Sequence, residues 1–148
     1  MIPLLLPMLL GMASLDVPVT DNFLTALAYV ESGWNPRVVG DDGMAVGMYQ
    51  LWSIYVKEAN RILRAYVFSD DQRTDPETSK EITRVVLTYW GVYHKKNGYN
   101  IGPAELCSIH RRPNSKWTPK NMEWPLERER TRKFLKLYNA LEQQTSDK

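Results

Sequence analysis

Five stretches of the chain repeat their apolar residues at helical spacing, and between the first two lies a short segment that alternates instead. Leu24, Leu27 and Ala28 share one face after Thr20 and Asp21, either of which can cap a helix. The pattern predicts a helix from about residue 21 to Ser32, halted by Gly33 and Asn35-Pro36. Val38 to Gly47 carries Asp42-Gly43 between two short apolar runs, a hairpin signal. From Leu51 to about Leu63, Trp52, Tyr55, Val56, Ala59, Ile62 and Leu63 predict a second helix. A third has Asp75 as cap, Pro76 in its first turn and Ile82, Val85, Val86, Tyr89 and Tyr93 as its buried stripe, ending at Asn97-Gly98. Gly102-Pro103 opens a fourth, with Leu106 and Ile109 inward, that stops before Pro113. The fifth runs from about Leu126 with Phe134, Leu137, Tyr138 and Leu141 on one side. The expected fold class is mainly α: about five helices with one small β-hairpin.

Length and composition narrow this picture. At 148 residues the chain forms one domain with a sizeable core. Residues 1–14 read as a hydrophobic leader or a signal peptide: Gly11-Met12-Ala13 suits a small-x-small cleavage site, but no basic residue precedes the apolar run and Pro3 and Pro7 interrupt it. Export and a retained apolar arm both stay open, and the run is too short for a stable membrane span. The domain proper is placed at 15–142, followed by a polar tail at 143–148. A net charge of +2 is too weak to argue for nucleic acid. Arg128, Arg130, Arg132 and Lys133 alternate with Glu127 and Glu129, which reads as a solvated helix face. Five Trp and eight Tyr supply flat faces that suit sugar rings or a core. The lone Cys107 and two histidines give no metal-ligand spacing, so no metal or cofactor is expected. Cys107 and His110 lie three apart on one helix, but no orienting partner for a nucleophile pair is visible.

Glu31 is the main chemical candidate. It shares the face of Leu24, Leu27 and Ala28, so its carboxylate points toward a core or cleft. Poor solvation and the negative end of the helix dipole should both raise its pKa, as a general acid requires. A buried glutamate tied to backbone donors is the alternative. Glu31-Ser32-Gly33, then Asn35-Pro36, then Ala45-Val46-Gly47-Met48-Tyr49-Gln50 follow in order. That set resembles the lysozyme-like superfamily, and within it the soluble lytic transglycosylase-type (SLT) domains, in which a catalytic glutamate opens Glu-Ser-Gly and Ala-x-Gly-x-x-Gln follows a short loop. The motifs cover residues of about 24 to 56.

The resemblance implies peptidoglycan as partner, with Glu31 protonating the glycosidic oxygen between N-acetylmuramic acid and N-acetylglucosamine. It further implies that Gln50 faces the sugar, that Gly47 lets the backbone approach it, and that Ser32 and Tyr49 lie near it. Tyr49 and Trp52 also read as core aromatics. Where such domains carry a Tyr-Asn-x-Gly-Pro-like or His-Asn-Gly-Gly-Pro-like segment contacting the catalytic carboxylate, this chain has Ile109-His110-Arg111-Arg112-Pro113. His110 is thus the expected contact, and the two arginines either narrow the cleft or bind an anionic group. Asp41 and Asp42 offer a second acid for hydrolysis, or simply the chemistry of a tight turn. Lytic transglycosylase, lysozyme-type hydrolase and non-catalytic wall-binding module are the readings carried forward. The expected setting is a monomer, periplasmic or extracellular if the leader is a signal and otherwise associated with a virion or with lysis.

Overall fold

The structure is a computed structural model and describes residues 17–147; the leader reading therefore lies outside the described residues. In chain order these form α1 (Asp21–Ser32), β1 (Val39–Gly40), β2 (Ala45–Val46), α2 (Ser53–Leu63), α3 (Pro76–Lys96), α4 (Pro103–Arg111) and α5 (Pro125–Ser146). The mainly helical class with one small hairpin is what the periodicity predicts. Besides the short 3-10 turn Asp41–Gly43 within the hairpin, two others, Asp70–Thr74 and Pro119–Glu123, join it without an apolar repeat to announce them.

The helix ends obey local chemistry. Thr20 accepts from the Phe23 amide at 3.2 Å, and Gly33 closes α1 in the left-handed region at φ 63°. Asp75 accepts from the Thr78 amide at 2.8 Å ahead of Pro76. The second helix begins two residues later than its apolar pattern, because Leu51 pairs with Val46 in an isolated bridge instead. The fifth continues through residues 143–146, and Asn22 of α1 donates to Glu142 at 3.1 Å and Thr145 at 3.0 Å.

α3 is the spine, with Ile82, Val86, Leu87 and His94 buried. It packs on α2 and α4, while α5 packs on α1 and α4. A Cβ on Gly91 would lie 2.7 Å from Val17 and 2.9 Å from Leu106, so α3 approaches α4 as closely as it does only with glycine there. Phe23 of α1 meets Phe134 of α5 edge-on at 5.2 Å. These contacts hold the C-terminus of α1 between the hairpin and α5.

The hairpin pairs Val39 with Val46 and Gly40 with Ala45, leaving a four-residue connection rather than a two-residue turn. Asp41, Asp42 and Gly43 all have positive φ, at 50°, 55° and 91°. Aspartate and glycine are the residues that enter this region at low cost, which explains Asp-Asp-Gly as turn chemistry. Arg73, from the first 3-10 turn, donates to the carbonyls of Met44 at 3.2 Å and Leu51 at 3.0 Å and so fixes the hairpin to the helical body.

Candidate active site

A cleft runs between the hairpin and the ends of α2, α4 and α5, in two halves of about 510 and 370 Å³. Glu31, Asp41, Gln50 and Arg111 line both halves and mark where they meet. The larger half adds Trp52, Ile54, Tyr55, Trp90 and His110; the smaller adds Leu126, Arg130 and Lys133.

Glu31 sits at the last turn of α1 with a side chain only 5% exposed. Its position on the face of Leu24, Leu27 and Ala28 is as the spacing predicts, since all three are buried. Its electrostatics are not. Burial pushes its pKa up, but the guanidinium of Arg130, with His110 and Arg111 behind it, more than offsets this and leaves the carboxyl below its ordinary 4.5. Arg130 Nε donates to Glu31 Oε1 at 2.8 Å, and Nη2 closes on the same oxygen. Arg111 Nη1 lies 3.9 Å from Oε2. The expected upward shift is therefore corrected in sign by a residue 99 positions away.

Arg130 also corrects the reading of α5 as a solvated charged face. Its side chain is 10% exposed, and Nη1 donates to the Cys107 carbonyl at 2.7 Å with the Cys107 sulfur at 3.2 Å. The sequence does carry the signal: Arg130 stands four and seven residues before Phe134 and Leu137, on the apolar face of α5. Arg128, Arg132 and Lys133 remain exposed or partly so. Glu127 completes a four-charge cluster, 3.4 Å from Arg111 and 3.8 Å from Arg130.

His110 is buried, and both ring nitrogens are taken. Nε2 lies 2.9 Å from the Tyr49 carbonyl, which only accepts, so this nitrogen carries the proton and Nδ1 accepts from the Tyr55 hydroxyl at 2.8 Å. Neither nitrogen is left to bond Glu31; His110 lines the cleft as a neutral floor. Burial pushes it down to about 4 and pushes Tyr55 well above the usual phenol range. Cys107 does not form a nucleophile pair with it: burial raises the thiol to about 12, and its sulfur faces Arg130.

The other predicted site residues divide. Gln50 lines the cleft and also ties the turn behind it, donating to the carbonyls of Val38 and Gly47 at 3.0 Å each. Asp41 lines the cleft and accepts from Trp52 Nε1 at 3.2 Å. Asp42, Ser32, Gly47 and Tyr49 stand outside the lining. Ser32 bridges α1 to the loop, 2.7 Å from the Met48 carbonyl. Gly47 has φ 87° with its α-carbon against the Arg73 carbonyl, where a Cβ would lie 2.0 Å away. Tyr49 is a core aromatic at 3% exposure. Arg111 reaches into the cleft, whereas Arg112 stacks on Trp124 at 5.2 Å.

A deeply set carboxylate thus lies where two halves of a groove meet, between a helical body and a small hairpin. The model of the family described as "Transglycosylase SLT domain" matches residues 8–120, most of the 148, and the chain belongs to that family. No curated protein and no solved structure matches it significantly. The match ends before α5, so Arg130 and Glu127 stand beyond it.

Proposed function

We propose that the domain cleaves the peptidoglycan glycan strand between N-acetylmuramic acid and N-acetylglucosamine, as a lytic transglycosylase, with Glu31 as acid and then base. The observation that supports this most is the position of Glu31 at the junction of both cleft halves, where the bond between two bound sugars would lie. Sugar rings in the larger half would rest against Trp52, Ile54 and Trp90. Gln50 and Asp41 offer polar contacts across from Glu31. A substrate in the wall places the working enzyme outside the cytoplasm, or at the wall during lysis.

In this reading Glu31 gives its proton to the leaving oxygen as the glycosidic bond breaks. The carboxylate so formed then removes the proton of the muramyl C6 hydroxyl, whose oxygen closes on the anomeric carbon. One carboxyl serves both steps, and no water is consumed. Asp41 carries a second reading, lysozyme-type hydrolysis, because it too lines both halves and could direct water. Mass spectrometry of products from intact sacculi separates the two, since the anhydro end lacks one water relative to a hydrolysed end. Anhydro-muropeptides are expected from the parent and at least about a hundredfold fewer from folded Glu31→Gln. Hydrated ends alone would replace the transglycosylase with a hydrolase. Activity of Glu31→Gln within a few-fold of the parent would remove Glu31 from the chemistry.

A further inference from the structure

A general acid must hold a proton at working pH, and Glu31 as folded is arranged against it. Even an ordinary glutamic acid at 4.5 is protonated in only about 0.3% of molecules at pH 7, and Arg130 lowers that fraction further. Both Nε and Nη2 of Arg130 fall on Oε1, leaving Oε2 to Arg111 at 3.9 Å. The groups facing Glu31 come from four elements: Arg130 and Glu127 on α5, with Glu129 and Lys133 at the cleft edge; Arg111 and His110 on α4; Tyr55 on α2; and Asp41 in the hairpin. Of these, only Glu127 combines closeness to Arg130 with an opposite charge and a spare site. Its buried Oε2 accepts no hydrogen bond and lies 3.8 Å from Arg130 Nη1. An orphaned carboxylate oxygen beside a guanidinium is a second seat for it.

We propose that Arg130 is a positioning residue that gates the acid: a sugar taking the cleft half lined by Leu126, Arg130 and Lys133 turns the guanidinium from Glu31 onto Glu127, and Glu31 then takes one proton from solvent. The inference rests on the reading of Glu31 as the acid. The movement needed is small, because Nη1, which donates to the Cys107 carbonyl at 2.7 Å, already lies 3.8 Å from Glu127 Oε2. Once Arg130 has left, the guanidinium still beside Glu31 is that of the half-exposed Arg111 at 3.9 Å, and burial then favours the protonated form. After the first step the carboxylate is formed again, and return of Arg130 stabilises it. The gate thus couples glycan binding to arming of the acid and leaves the unliganded enzyme with an unreactive carboxylate.

The test titrates Glu31 directly, by NMR of the full chain labelled at glutamate side-chain carboxyls, with Glu31→Gln to assign the signal. The parent should titrate below 4.5, Arg130→Met higher by about one pH unit or more, and Arg130→Lys close to the parent because the charge is kept. Calorimetry of chitohexaose binding at pH 6, in buffers of different ionisation enthalpy, then counts protons. Net proton uptake is expected for the parent. Much less is expected for Glu127→Gln, which removes the second seat while Glu31 still titrates low. An unmoved Glu31 signal in Arg130→Met overturns the proposal, as does parent binding without proton uptake. If chitohexaose does not bind or Arg130→Met does not fold, the parent, Arg130→Lys and Glu127→Gln titrations still decide: a parent value at or above 4.5, or a Glu127→Gln signal displaced upward from the parent's, overturns the gate. Failure of the functional reading looks different, as absence of wall cleavage with these titrations unchanged.

Discussion

Acidification should destabilise this fold through His110 before any carboxylate is involved. The ring is buried with Nε2–H on the Tyr49 carbonyl and Nδ1 accepting from Tyr55, so a second ring proton would put a poorly solvated charge in the core and force the Tyr55 hydroxyl to turn from donor to acceptor. Its folded pKa is about 4 against an ordinary 6.5. Above 6.5 both states carry neutral histidine and the group adds no pH dependence. As pH falls below 6.5, the unfolded chain takes up a proton that the folded one refuses, and stability declines until pH passes about 4. The gap between those values, at about 1.4 kcal/mol per pH unit, caps the loss at about 3 kcal/mol, of which about 2 kcal/mol has gone by pH 5. Glu31 acts lower: its pKa is depressed, so the stability its ion pair contributes is held above 4.5 and lost as pH falls through its folded value. Urea unfolding of the parent and of His110→Gln at pH 7 and pH 5 isolates the effect. The glutamine keeps a donor for Tyr49 but cannot titrate, so the slopes are compared rather than the baselines. The parent should lose about 2 kcal/mol more than the variant over that interval. Equal losses would show that His110 is free to protonate in the folded state.

Three further outcomes follow from the same contacts. Gly47→Ala places a Cβ 2.0 Å from the Arg73 carbonyl at a φ of 87°, backbone against backbone, and should cost about 3 kcal/mol in urea unfolding; a loss below about 1 kcal/mol would mean that the loop moves aside freely. Asp42→Asn, outside the cleft and in a left-handed turn that asparagine also accepts, should retain wall-clearing activity within a few-fold. Asp41→Asn should do likewise if Asp41 only accepts from Trp52, and near-complete loss with intact circular dichroism would make it the second carboxylate of a hydrolase.

What the sequence determined by itself is what depends on neighbours within a turn or two. The bounds of α1 and α3 follow from Thr20, Gly33, Asp75 and Pro76, because caps act on amides three residues away. The inward aim of Glu31 follows from Leu24, Leu27 and Ala28, because helical spacing fixes a face. Asp-Asp-Gly announces its turn because few residues enter the left-handed region cheaply. The tertiary structure alone decided which groups those faces meet. Arg130 reaches Glu31 across 99 positions and reverses the direction in which burial drives its proton. Arg73 pins the hairpin, and His110 turns its two nitrogens to Tyr55 and Tyr49 rather than to Glu31. No local pattern encodes these pairings, because the charge a buried carboxylate keeps depends on the nearest counter-ion in space. Here that counter-ion lies on α5, brought to Glu31 by the packing of α5 on α1.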